Sequence, residues 1–339
     1  MKITVFGSGS WGTAIAMLLH GNGNDVTLWS NFEEEAQNLR RARENPHLSG
    51  VTIPEGITIT ASLDEAVPGV EVAVLAAPSY ALRETVGKLK GRLTEDCIIV
   101  CVSKGIEKDT SRLFSDIIKS ILGDSARIAS LSGPTHAEEV SRRIPTACVA
   151  ASEDEQVAHI VQDLFMSDYF RVYTSTDVIG VELGAALKNI IALCAGVCDG
   201  LGYGDNTAAM LMTRGLAEMA ELCVALGGKK ETLAGLAGLG DLIVTCTSRH
   251  SRNRRAGVLL GKGADVETAM REVGAVVEGY YAAQAAYELA GKAGVNMPIC
   301  TEAYKVLYEG KSTTAAIAEL MSREKRSELP TGGEYWVTR

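Results

Sequence analysis

From residue 1 to about residue 175 the chain alternates short apolar runs with longer amphipathic stretches. The runs at 3–6, 26–29, 57–60, 72–76, 98–102, 127–131, 146–150 and 170–173 have the length and make-up of strands. Between most of them lie amphipathic segments such as 11–20 and 154–165, where apolar residues recur at helical spacing. Strand–helix alternation predicts a mostly parallel sheet covered on both faces, and the right-handed crossover rule makes it doubly wound. After about residue 176 the texture changes. The segments 178–198, 207–226, 266–272, 277–293 and 303–307 all read as helices, with no convincing strand among them. The expected fold class is therefore α/β plus all-α: a doubly wound, Rossmann-type sheet over 1–177, then a helical substrate domain over 178–339. No Pro/Gly/Ser linker marks the junction, which predicts two closely packed domains with a cleft between them. The tail from 322 onward is polar.

The totals leave this picture intact and narrow the partners. A chain of 339 residues suits about two domains, and 46% hydrophobic against 22% charged residues is enough to fill both cores. The formal net charge of −9 argues against nucleic acid or an anionic lipid surface as partner. The most apolar long stretch, 178–201, is interrupted by Glu182, Lys188, Asn189 and Asp199, which argues against a membrane span. The start, MKITVFGSGSW, runs straight into a strand pattern with no apolar signal core, so the expected location is the cytoplasm. Eight cysteines are scattered through apolar segments. No histidine lies close enough to Cys97/Cys101 or Cys194/Cys198 to complete a zinc pattern, so free thiols and no metal are expected.

Gly7-Ser8-Gly9-Ser10-Trp11-Gly12 follows the first strand and opens the first helix. In that context the spacing fits a dinucleotide. Gly7 permits the tight turn, Gly9 lets a pyrophosphate approach the backbone, and Gly12 lets helix and strand pack closely. The plainer reading is a glycine turn with no ligand. An acid for the ribose 2′-hydroxyl is expected about 20 residues on. Ser30-Asn31 stands there instead, with Glu33 two residues later. The missing acid favours NADPH, or tolerance of both NADP(H) and NAD(H).

In the second half one charge stands out. Lys188 sits in a helix of Leu, Ala, Ile, Val and Gly, with Gly184 and Ala192 four residues to either side, so it has no helical ion-pair partner. A lysine held in apolar surroundings has a lowered pKa and can exchange a proton near neutrality. Carbonyl reduction needs such a proton, because the oxygen must be protonated when a hydride reaches the carbon. The alternative is a lysine at the helix edge that snorkels to water. Ser248-Arg249-His250-Ser251-Arg252-Asn253-Arg254-Arg255 crowds arginines into an acidic chain and suits a phosphate dianion. The alternatives are a solvated basic face, above all for Arg249 and Arg255, and a nucleic-acid patch, which the net charge and the absence of interleaved aromatics disfavour. Asp241, between glycines and apolar residues, suits a lysine's orientation or a bound hydroxyl, or equally a cap on the following helix. Ser103-Lys104-Gly105 and the run from Leu131 to Ala137 close successive strands, where doubly wound sheets bind ligands. His136 there is a candidate base, or equally a capping or supporting residue.

Taken together, GSGSWGTA at 7–14, SKGIE at 103–107, LSGPTHAEEV at 131–140, VELGAALKNIIA at 181–192, RGLAEM at 214–219, AGLGDL at 237–242, SRNRR at 251–255 and VVEGY at 276–280 resemble the bacterial-type NAD(P)-dependent glycerol-3-phosphate dehydrogenase family. Order and spacing agree along essentially the whole chain. The resemblance implies reversible hydride transfer between NAD(P)H and C2 of dihydroxyacetone phosphate, giving sn-glycerol 3-phosphate for phospholipid synthesis. It implies Lys188 as general acid, with Lys104 and Asp241 beside it. Lys104, Gly133, Thr135, Lys188, Asp241, Ser251, Arg252 and Asn253 would hold the substrate. Gly7, Gly9, Ser10, Trp11, Gly12, Asn31, Lys104, Ala137, Arg252, Val276 and Glu278 would hold the cofactor. Position 31 in the family often carries a histidine or arginine able to meet a 2′-phosphate, and here it is Asn31. Rivals are a 3-hydroxyacid or 6-phosphogluconate type of dehydrogenase and a non-catalytic nicotinamide sensor. The basic cluster disfavours a 3-hydroxyacid substrate, which lacks a phosphate, and the isolated lysine disfavours a sensor. The residues leave the oligomeric state open, a homodimer included.

Overall fold

The computed structural model describes residues 1–108, 110–325 and 327–328, so the polar tail read from 322 onward lies outside the described residues from 329 on. One eight-stranded sheet is built from β1 (Lys2–Phe6), β2 (Asp25–Trp29), β3 (Thr58–Thr60), β4 (Val72–Leu75), β5 (Ile98–Cys101), β6 (Arg127–Ser132), β7 (Thr146–Ala151) and β8 (Phe170–Ser175). The spatial order is β3-β2-β1-β4-β5-β6-β7-β8. All eight coincide with expected strands to within two residues at either end. Strands β1, β4 and β5 are apolar over nearly their whole length because both faces are covered, with Ile3, Val5, Phe6 and Val72 to Leu75 all fully buried.

The sheet is parallel from β3 through β6, antiparallel between β6 and β7, and parallel again between β7 and β8. The order reverses direction between β1 and β4, leaving a crevice outside their carboxyl ends. Gly7 occupies that crevice. Its φ of +123° is open to glycine, and a Cβ there would stand 2.6 Å from the Ala76 carbonyl oxygen.

Beyond β8 the described residues are helical: Val178–Gly200, Asp205–Ala225, Asp241–Thr247, Arg252–Gly261, Glu278–Ala293, Pro298–Tyr308 and shorter pieces. Val178–Gly200 is apolar on every side because every side is packed. Its mean hydropathy of 1.7 makes it long and apolar enough to cross a membrane, despite the polar residues that interrupt it. In the fold 89% of its most apolar window is buried inside the protein. Asp177 caps it: Oδ1 accepts from the Gly180 amide at 2.9 Å, and Oδ2 accepts from the Lys229 amide at 2.9 Å and the Thr232 hydroxyl.

The basic segment 252–261, read from sequence only as a cluster of arginines, is a helix lying against Val178–Gly200. Glycines make the approach unusually close. A Cβ on Gly196 would stand 2.0 Å from the Arg254 carbonyl oxygen, and one on Gly257 2.0 Å from that of Leu193. Gly200 and Gly261 repeat the pattern one turn on, at 2.4 Å and 2.3 Å.

Candidate active site

Four segments converge at the carboxyl edge of the parallel strands. The loop after β5 supplies Lys104, the loop after β6 supplies Gly133 and Thr135, the middle of Val178–Gly200 supplies Lys188, and the start of Asp241–Thr247 supplies Asp241. The Asp241 carboxylate bridges two ammonium groups. Lys188 Nζ donates to Oδ1 at 2.5 Å and Lys104 Nζ donates to Oδ2 at 2.8 Å. The side chain of Lys188 is 6% exposed and that of Asp241 only 2%. The lysine without a partner on its own helix has one from a different helix.

Asp241 is not a helix cap. It is the first residue of its helix, the N-cap is Gly240, and its carboxylate faces the two lysines. Burial raises its pKa, but the two neighbouring ammonium groups outweigh that and hold it below the usual value. Lys188 moves the other way. Loss of water lowers its pKa to about 8, with the Lys104 charge adding to the fall and Asp241 opposing it.

The two lysines differ in what they have left to give. An ammonium has three N–H donors. Lys104 spends them on Asp241, the Gly133 carbonyl at 2.8 Å and the Thr135 hydroxyl at 3.1 Å. Lys188 spends two, on Asp241 and on Thr245 Oγ1 at 2.8 Å, and keeps one. Thr245 was not singled out from the sequence. The signal was present, since it lies four residues after Asp241 on the same helix face.

His136 takes the N-cap position of the short helix Ala137–Val140, yet its side chain makes no cap bond. Its Nε2 is buried without a partner among the described residues, and burial together with the nearby Lys188 and Lys104 lowers its pKa. A Cβ on Gly133 would stand 2.8 Å from the Cys148 Cα, so the loop runs tight against β7.

The basic cluster divides. Ser251 caps the helix Arg252–Gly261 by accepting from the Arg254 amide at 3.2 Å. Asn253 is buried and tied inward: its amide donates to Asn189 Oδ1 at 2.9 Å and its Oδ1 accepts from the Gly279 amide at 2.8 Å. Arg254 pairs with Asp199 at 2.7 Å and so is structural, while Arg249, Arg252 and Arg255 are exposed.

At the switch point, the residues fit a dinucleotide. A Cβ on Gly12 would stand 1.9 Å from the Gly7 carbonyl oxygen, whereas one on Gly9 would meet nothing within 4 Å. Gly9, exposed at the N-cap of Ser10–Gly21, thus offers open space beside free helix amides. Trp11 donates from Nε1 to the Val102 carbonyl at 3.2 Å, tying this turn to the loop before Lys104. Glu278 reaches across from the helical half: Oε1 accepts from the Ser79 amide at 3.2 Å and Oε2 is buried with no partner among the described residues. Burial raises its pKa. Ala137 is buried and Val276 half-buried. Asn31 lies exposed at the tip of β2, where its Oδ1 accepts from Lys88 Nζ. Sequence spacing gave no hint of Lys88, which belongs to the helix Leu82–Leu89.

Two family models match the chain. Residues 2–158 match the N-terminus and residues 177–318 the C-terminus of NAD-dependent glycerol-3-phosphate dehydrogenase. A protein of Clostridium perfringens strain SM101 named glycerol-3-phosphate dehydrogenase [NAD(P)+] is 51% identical over 328 residues, covering 96% of this chain and 99% of its own. One of the same name from Moorella thermoacetica is 52% identical over 332 residues, 98% of each chain. The crystal structure of the Coxiella burnetii glycerol-3-phosphate dehydrogenase superposes with a TM-score of 0.92 at 37% identity, covering 95% of this chain and 99% of that one.

Proposed function

The chain belongs to the NAD-dependent glycerol-3-phosphate dehydrogenase family, and from that premise we propose how its own residues carry the interconversion of dihydroxyacetone phosphate and sn-glycerol 3-phosphate. Lys188 is the general acid in reduction and the base in the reverse direction. The observation that carries this assignment is the difference in spare donors: Lys104 is fully engaged by protein acceptors, and Lys188 retains one N–H. A pKa near 8 lets Lys188 give a proton to the ketone oxygen and recover it near neutral pH. Asp241 keeps both ammonium groups in place and opposes the loss of charge on Lys188. Lys104, fixed by Gly133 and Thr135, contributes positive charge beside the developing alkoxide.

The cofactor's pyrophosphate is held by the turn of Gly7, Gly9, Ser10, Trp11 and Gly12, with Asn31 at the adenosine end. Lys104, Ala137, Arg252, Val276 and Glu278 line the remainder of the cofactor site. When bound, the reduced nicotinamide supplies the hydride taken up by C2. The substrate phosphate is met by Ser251, Arg252 and Asn253 at the N-terminus of the helix Arg252–Gly261, where free amides and the helix dipole favour an anion. In this reading residues 1–177 serve the nucleotide and 178–339 the substrate. The enzyme works in the cytoplasm and supplies glycerol 3-phosphate to glycerophospholipid synthesis.

The test is the initial rate of nicotinamide oxidation with dihydroxyacetone phosphate, measured with NADPH and with NADH. Saturable turnover is expected. Cofactor binding without turnover would sink the proposal and leave a nicotinamide sensor.

A further inference from the structure

The tip of β2 lacks the acid that would mark an NAD site, and two of the carboxylates that follow it, Glu33 and Glu35, are committed elsewhere. Glu33 takes Arg40 at 2.8 Å and Gln37 at 3.0 Å, and Glu35 accepts the hydroxyl proton of the buried Ser30 at 2.5 Å. The tip does hold a cation. Lys88, from the helix that follows β4, donates to Asn31 Oδ1 at 2.5 Å across 57 residues of sequence. Its ammonium lies 5.9 Å from the centre of the Trp29 ring and pairs with Glu84 at 2.7 Å. Other cations of this region are engaged away from Asn31: Arg40 on Glu33 and the Ile59 carbonyl, Arg43 on Glu55 and the carbonyls of Pro54 and Ile57.

We infer that Lys88, steadied by Asn31 and Trp29, is the 2′-phosphate contact that lets this chain take NADPH. The inference rests on the NAD(P)-dependent reading above and names the residue that selects between the two cofactors. Asn31 and Glu84 occupy two of the three ammonium donors, which leaves one for an incoming oxygen. Glu84 is 69% exposed, so a phosphate dianion carrying more charge competes well with it. A purely solvated helix-surface pair would have no need of a third partner beyond the end of a different strand. Asn31 supplies that partner, and it stands where the ribose of a dinucleotide meets the second strand.

The experiment uses two probes that undergo no reaction, adenosine 2′,5′-bisphosphate and 5′-AMP, titrated calorimetrically into wild type, Lys88→Ala and Lys88→Arg. Lys88→Ala is expected to weaken the bisphosphate about tenfold or more, as loss of a hydrogen bond between charged groups should. It should leave 5′-AMP unchanged, and Lys88→Arg should retain most of the bisphosphate affinity. In turnover, the KM for NADPH should rise by a similar factor with kcat and the NADH parameters unaltered. Equal weakening of both probes would make Lys88 a general adenosine contact and overturn the inference. Unchanged binding of both would reduce it to the surface partner of Glu84 and also overturn it. Retained 5′-AMP binding shows that the variant is folded. Discrimination between the probes in a protein that fails to turn over dihydroxyacetone phosphate would sink the reaction assignment and leave the Lys88 inference standing.

Discussion

At the scale of single residues, the proposed roles of Lys188 and Asp241 make the pH dependence of the reaction belong to the two jointly. Reduction needs Lys188 protonated, so its rate should fall as pH rises through about 8, while oxidation, which needs the neutral amine, should rise over the same range. Asp241 opposes the effect of burial on Lys188. Replacing Asp241 with Asn removes that support and should move both limbs to lower pH. Lys188→Ala should cost about 100- to 10,000-fold in turnover with little change in cofactor affinity. Paired pH–rate profiles check the direction, and a limb that stays in place in Asp241→Asn would mean another group titrates. Lys188 was legible in the sequence because a lone charge in an apolar helix needs a reason. Asp241 was legible as a candidate to orient a lysine, but spacing alone left a helix cap equally open, because spacing rules see neighbours on one helix and the two residues are 53 apart.

At the scale of elements, the strands were readable from short apolar runs, since a sheet covered on both faces demands them. The helix Arg252–Gly261 was not. Its sequence, RNRRAGVLLG, is poor in large apolar residues because the contact it makes is between backbones. Gly196 and Gly200 on one helix face Gly257 and Gly261 on the other. That seam fixes the N-terminus bearing Ser251, Arg252 and Asn253 relative to the helix bearing Lys188. A single methyl group at Gly257 should force the helices apart at a cost of about 1–3 kcal/mol. Gly257→Ala should therefore lower the denaturation midpoint and raise the KM for dihydroxyacetone phosphate more than that for the nicotinamide. A stable variant with unchanged KM would show that the seam can relax without moving the site.

At the scale of the whole molecule, polar contacts cross between the sheet and the helices on both sides of the site. Besides Lys104 with Asp241 and Ser79 with Glu278, the buried Glu182 accepts from the Ser115 amide at 3.1 Å and from the hydroxyls of Ser115 and Ser130. Burial raises the Glu182 pKa, and those donors oppose the rise. Glu182→Leu would strand the Ser115 amide and should cost at least about 1–3 kcal/mol, read in urea denaturation. An unchanged midpoint would mean that the Glu182 contacts add nothing to the hold between the two halves. The sequence showed Glu182 only as an interruption in an apolar run, because what it satisfies lies on segments more than 50 residues earlier.

The reversal between β6 and β7 has a consequence for where Lys188 stands. Ser130 of β6 faces Ala151 at the end of β7, and Ala151 faces Ser175 at the end of β8, so the chain leaves the sheet at the rim opposite the ligand crevice. The helix that starts there must travel back across the depth of the sheet before any of its side chains can reach a substrate. Lys188 comes ten residues into that helix, a rise of about 15 Å at 1.5 Å per residue. β6, with six residues, spans about 20 Å at its own rise. The helix thus acts as a measuring rod pinned at Asp177. Its residue count delivers the ammonium to the level of Lys104 and Gly133, and each residue added or lost before position 188 would shift that group by about 1.5 Å and turn it about 100° away from the crevice.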